Sequence, residues 1–129
     1  MAIPEYDTLD AMGLAALVRA RELSPREVVA EAIRRAELAN PALNFIAHRA
    51  YDEALAAASS RDLPDGPLRG VPWLVKELAT SWAGQPWTNA LPYLKDVKAP
   101  FDSLTLQRLE AAGAVPFAKS TSPENGWML

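Results

Sequence analysis

Gly66-Pro67-Leu68-Arg69-Gly70-Val71-Pro72-Trp73-Leu74-Val75-Lys76-Glu77 is the stretch that decides how this 129-residue chain is read. It opens on Leu63-Pro64-Asp65-Gly66-Pro67, a turn or linker. It then runs through Val71 to Val75, a short apolar segment with Pro72 inside it. That pattern fits a buried strand whose start or edge tolerates a residue without an N–H. The strand closes on Lys76. A lysine held among apolar neighbours is partly desolvated, which disfavours its charged form and lets it act as a base. From the strand pattern alone, the simpler reading is a lysine that emerges at a strand end into water.

Working downstream, Ala79 to Pro100 carries Gly84, Pro86, Pro92 and Pro100 together with Trp82, Trp87 and Tyr93. It reads as a long loop with aromatic anchors, which could line a substrate mouth or simply pin the loop to the core. Ser103 caps a helix with Leu106 and Leu109 inward and Gly113 as its stop. Ala114 to Ala118 is a second short strand ending on Lys119, and the solvated strand-end reading applies there too. Strand, crossing segment with a helix, then strand is the outline of an α/β layer. The fold class expected is therefore α/β.

Working upstream, Leu9 to Glu22 reads as a helix with Leu14, Leu17 and Val18 at helical spacing. Ser24-Pro25-Arg26-Glu27 is a helix start. Ser24 can cap, Pro25 suits the first position, and Glu27 can reach back to complete a capping box. Val29, Ala32, Ile33 and Ala36 form one apolar stripe, and Asn40-Pro41 is expected to stop the helix. Leu43 to Ala47 suggests a short extended piece, and alanine-rich Tyr51 to Ser60 a helix with Leu55 inward. The chain thus divides into a helical region, about residues 9–62, and a strand-loop-helix-strand region, about residues 66–129.

Half the residues are hydrophobic, 22% are charged and the formal net charge is -3, an ordinary globular balance. No run of Lys or Arg points to nucleic acid. The absence of cysteine excludes disulfides, thiolate catalysis and zinc–thiolate sites. The single histidine, His48, excludes a multi-histidine metal site and has no acidic neighbour to orient it. No phosphate-binding glycine loop or metal spacing occurs, so neither cofactor nor metal is expected. No apolar run approaches the ~18–20 residues of a membrane span, and Met1 to Asp7 does not read as a signal peptide. The expectation is a soluble cytoplasmic protein. Glu77 and Glu124 stand as single carboxylates, and the hydroxyls of Ser120, Thr121 and Ser122 read first as turn and cap formers.

The string Gly66 to Glu77 resembles the amidase-signature pattern: Gly-Pro-Leu, a small spacer, Gly-Ile/Val-Pro, an apolar strand, then Lys-Asp/Glu. Asp102 to Gly126 resembles that family's next block. The matching pieces are Ala111-Ala112-Gly113-Ala114, Ala118-Lys119 and Ser120-Thr121-Ser122-Pro123-Glu124. Leu23-Ser24-Pro25-Arg26-Glu27 and Asn40-Pro41-Ala42-Leu43-Asn44 also fit, so the resemblance covers nearly the whole chain in the family's order. Within the family the chain looks most like the branch that contains 6-aminohexanoate cyclic dimer hydrolase.

The resemblance implies amide hydrolysis through Ser–cis-Ser–Lys, with a small-molecule amide as substrate. Lysine takes a proton from a bridging serine, which activates the nucleophilic serine, and backbone N–H groups hold the oxyanion. Lys76 is the one catalytic residue it carries over. The two serines would lie in a Gly-Gly-Ser-Ser-Gly-Gly-Ser-type stretch after the Pro-Glu block, and no such stretch occurs here; Ser59-Ser60, between Ala and Arg on a helix, is no substitute. The expectation is the N-terminal portion of an amidase, inactive alone, and homo-oligomeric or aggregation-prone unless the missing part is supplied. The alternative is a truncated, non-catalytic gene product or a partner-dependent fragment. The resemblance implies N-terminal helices plus two strands of a large mixed sheet. Three departures stand out: Asn125 where a large apolar residue is usual, Ala118 for a glycine, and Trp87-Thr88-Asn89-Ala90 for a Gly-rich loop ending.

Overall fold

The computed structural model describes Ile3 and residues 5–127. Helix α1 spans Ala11–Arg19, and the Asp10 side chain caps it by accepting from the Gly13 N–H. Its buried residues, Leu14, Ala15 and Val18, form a small apolar cluster with Ile3, Val28 and Val71. Helix α2 spans Pro25–Leu43 and opens on the expected capping box: Ser24 Oγ accepts from the Glu27 N–H while the Glu27 carboxylate accepts from the Ser24 N–H.

The helix does not stop at Asn40-Pro41, contrary to the expectation. Pro41 lies inside its last turn. Asn44 closes that turn in the left-handed region, φ 47°, and its N–H donates to the Asn40 carbonyl at 2.7 Å. The Asn40 side chain accepts from the Ile46 N–H at 2.9 Å. The turn is held from both ends, which offsets the one helical hydrogen bond that Pro41 cannot donate.

The extended piece after α2 is strand β1, Ile46–Arg49, placed slightly later than expected because Leu43 is still helical. Helix α3, Tyr51–Ser59, buries Ala54 and Ala58, with Leu55 packed at the edge of the core. Strand β2 is Pro72–Lys76, helix α4 is Leu104–Ala111 and strand β3 is Val115–Ser120. Among the described residues the sheet has three strands, not two, in the order β1-β3-β2. β2 pairs with β3 in parallel and β1 pairs with β3 antiparallel. Parallel neighbours need a crossover, which the 79–102 loop and α4 provide. The extended piece was expected, but not its pairing into the sheet, because β1 comes from the helical region of the chain.

Val29, Ala32 and Ala36 of α2, Ala54 and Ala58 of α3, and Val115, Phe117 and Ala118 of β3 make the principal core. Tyr51 stacks on Phe117 with ring centroids 6.3 Å apart. The motif glycines do local work here. Leu68 N–H donates to the Ala112 carbonyl at 2.8 Å and Gly70 N–H to the Gly113 carbonyl at 2.9 Å. The Gly-Pro-Leu-x-Gly loop before β2 therefore lies directly on the Ala-Ala-Gly turn before β3. Both strands start from one backbone-to-backbone contact.

Candidate active site

Parallel strands that start together also end together, and the open end of a parallel pair is where ligands bind in α/β sheets. Lys76 is the last residue of β2, opposite Ser120, the last residue of β3. The ladder carries on one step: Glu77 N–H donates to the Ser120 carbonyl at 2.9 Å. The Lys76 side chain is exposed, and its Nζ donates to the Thr121 carbonyl at 2.5 Å. Thr121 is held in turn, its N–H donating to the Phe45 carbonyl at 2.8 Å. The described residues of this chain leave Lys76 as the strand-end lysine of the simpler reading and do not supply the apolar desolvation of the other one. What they provide is a fixed direction for its amine.

The two motif blocks meet at this end. Asn125 N–H donates to the Asn89 carbonyl at 2.9 Å, joining the segment after β3 to the loop after β2. Ser122 Oγ donates to the Pro123 carbonyl, a turn role. Glu124 is exposed. His48 lies in β1, half-buried, opposite Lys119. Ser59 donates to the Leu55 carbonyl and accepts from Arg26, within the helical layer. Neither His48 nor Ser59 is brought to Lys76. Trp87 packs edge-on against Phe101, centroids 6.1 Å apart, and so pins the loop, whereas Tyr93 is 76% exposed.

Lys119 corrects the sequence reading most sharply. It was expected to emerge into solvent, and it is fully buried. Its ammonium stands 2.5 Å from Glu77 Oε2, an ion contact off the hydrogen-bond direction, and donates to the Pro86 carbonyl. Glu77 is buried as well. Its Oε1 accepts from the Thr88 N–H at 2.8 Å and the Thr88 hydroxyl at 2.9 Å. Sequence reasoning left Glu77 without a partner. The signal that could have found the pair is position: Lys119 directly follows the apolar run Ala114–Ala118, and Glu77 comes two residues after Val75, the end of the other apolar run. Among the described residues no three His, Asp or Glu side chains converge as metal ligands.

The Amidase family model matches residues 27–129. The chain belongs to the Amidase family. Among curated proteins it is 32% identical over 123 residues to a lipoamidase of Enterococcus faecalis, covering 95% of this chain and 17% of that one. It is 32% identical over 119 residues to a 6-aminohexanoate-cyclic-dimer hydrolase of Paenarthrobacter ureafaciens, covering 91% of this chain and 24% of the relative. Among solved structures, 6-aminohexanoate cyclic dimer hydrolase complexed with substrate superposes with a TM-score of 0.85 at 30% identity, over 95% of this chain and 25% of that one. The chain spans about a quarter or less of the length of these relatives. The resemblance drawn from the lysine motif is thus met in sequence and in fold, the cyclic dimer hydrolases included. Among the described residues no helix is long and apolar enough to cross a membrane.

Proposed function

We propose that this chain carries the base-bearing part of an amidase that hydrolyses carbon–nitrogen bonds of small amides, with Lys76 as the terminal base of a Ser–cis-Ser–Lys relay. The observation that carries the reading is the placement of Lys76. It closes β2 of a parallel pair, and the Thr121 carbonyl takes one of its N–H groups. A neutral amine has two N–H groups and one lone pair. Fixing one N–H restricts where the lone pair can point, which is what a base needs to accept a proton from a serine hydroxyl at hydrogen-bond distance. The bridging serine then takes the proton of the nucleophilic serine, which attacks the amide carbonyl. The relay passes its proton to the leaving amine, and water then releases the acid from the acyl-enzyme.

This sequence holds no Gly/Ser-rich stretch to supply the serine pair. The relay therefore needs residues other than these 129. The 129-residue polypeptide by itself should hydrolyse no amide above background, and turnover abolished by Lys76→Ala in that polypeptide would overturn this account. The direct test joins residues 1–129 to the remaining three-quarters of the Paenarthrobacter 6-aminohexanoate-cyclic-dimer hydrolase. The chimera is assayed on the cyclic dimer and on simple aryl amides. Lys76→Ala should lower kcat by several orders of magnitude, since removing one member of a catalytic unit disables the unit. An active Lys76→Ala chimera would show that Lys76 is not the base.

A further inference from the structure

The Glu77–Lys119 pair has no part in the proton relay, yet it sits at its root. Glu77 directly follows Lys76, and Lys119 lies two residues before Thr121, whose carbonyl holds the Lys76 amine. The pair also grips the loop after β2, Lys119 through the Pro86 carbonyl and Glu77 through the Thr88 N–H and hydroxyl. Three segments are thus fixed at one buried point: the end of β2, the end of β3 and residues 86–88.

We infer that Glu77 and Lys119 are a positioning pair, which sets the Lys76 amine against the Thr121 carbonyl and aligns the 86–88 segment beside it; the functional side of this inference rests on Lys76 being the base. Packing alone does not call for charges here. Two apolar side chains of similar volume would fill the same space without the cost of desolvating two ions. Apolar side chains could not, however, accept from the Thr88 N–H or donate to the Pro86 carbonyl. The polar groups therefore supply direction, and the direction they supply converges on the backbone that carries Lys76 and the backbone that receives it.

The test reads the geometry of Lys76 without reading turnover. The 129-residue chain is treated with limiting acetic anhydride and the acylation rate of each lysine is followed by mass spectrometry. Lys76, Lys95 and Lys98 are all exposed, and Lys119 is buried. In the unaltered chain Lys76 should react more slowly than Lys95 and Lys98, because its amine is engaged, and Lys119 should be protected. Glu77→Gln keeps an acceptor for Thr88 and removes the charge. The double variant Glu77→Leu with Lys119→Met removes both ions and leaves no unpaired buried charge, so it folds even where the single variant does not.

In the double variant the Lys76 rate should rise roughly two- to tenfold, the factor one net hydrogen bond is worth, towards the rates of Lys95 and Lys98. The urea transition should stay cooperative, with its midpoint lowered because the Thr88 N–H and the Pro86 carbonyl lose their partners. An unchanged Lys76 rate in a double variant that still unfolds cooperatively would overturn the inference, leaving the pair with a purely structural role. The functional reading fails separately, through an active Lys76→Ala chimera, whatever the acylation pattern.

Discussion

Gly66→Ala should destabilise the chain by about 3–5 kcal/mol, although Gly66 is only half-buried and its φ is not in the left-handed region. A Cβ built there would stand 2.3 Å from the Ala112 carbonyl oxygen and 2.6 Å from the Ala112 Cα. Ordinary carbon contacts lie near ~3.5–4.0 Å, so the two backbones must part by about an ångström. Two hydrogen bonds cross that contact, Leu68 N–H to the Ala112 carbonyl at 2.8 Å and Gly70 N–H to the Gly113 carbonyl at 2.9 Å. An added ångström takes both beyond bonding range. Each is worth about 1 kcal/mol net, and the Gly113 carbonyl, buried and unpaired, adds roughly 1–3 kcal/mol. Gly84 is the control. Its φ is +77° with nothing within 4 Å of an added Cβ, so Gly84→Ala bears only the backbone penalty, roughly 1–2 kcal/mol. Urea melts followed by tryptophan fluorescence measure both. If Gly66→Ala cost no more than Gly84→Ala, the close backbone approach would not be what joins the starts of β2 and β3.

Lys119→Met should cost about 3–5 kcal/mol by leaving Glu77 charged and buried, while adding Glu77→Leu should restore part of it, the bonds to Thr88 and Pro86 staying lost; urea melts of the three proteins decide, and additive losses would contradict the pairing. Stability should also fall in acid. The guanidiniums of Arg34, first, and Arg35 hydrogen-bond the Glu31 carboxylate and hold it down at about 2. A depressed carboxylate stabilises fully above its unfolded value of ~4.3 and loses that contribution as pH falls from there towards about 2. The full shift would be worth ~3 kcal/mol, and solvent around the half-exposed Arg34 reduces it to roughly 1–2 kcal/mol. Glu31→Gln should flatten this acid limb in melts between pH 5 and pH 2.5, and an unaltered pH slope would count against the assignment. Finally, β2 is an edge strand whose outer side has no partner among the described residues. Size-exclusion with light scattering should find self-association, and a clean monomer with a cooperative urea transition would refute that.

What could be read from sequence depended on how far apart the interacting groups lie in the chain. The α2 capping box needs only Ser24 and Glu27, one helical turn apart, and it forms as read. The strand ending on Lys76 and the Ser103 cap of α4 are equally local. Their readings needed only side-chain period and backbone donors. The family likewise lay in the linear order of the Gly66–Glu77 and Asp102–Gly126 strings. Pro41 was misread because a local rule weighs only the lost donor, whereas the turn that keeps the helix going is closed by Asn44 and by the Ile46 N–H beyond it.

Burial of charge was decided by tertiary structure alone. Lys76 and Lys119 look alike in sequence, each a lysine at the end of an apolar strand. The fold leaves Lys76 exposed at the end of an edge strand and buries Lys119 on the central strand under the 86–88 loop. Glu31 is similar: it sits among the apolar positions of α2, fully buried, and is tolerated there because Arg34 and Arg35 fold back over it. Position in the strand order, and which loop lies on top, are not properties of any stretch of sequence. Water is removed from a side chain only when distant segments close over it. The desolvation cost and the partner that offsets it therefore come into being together.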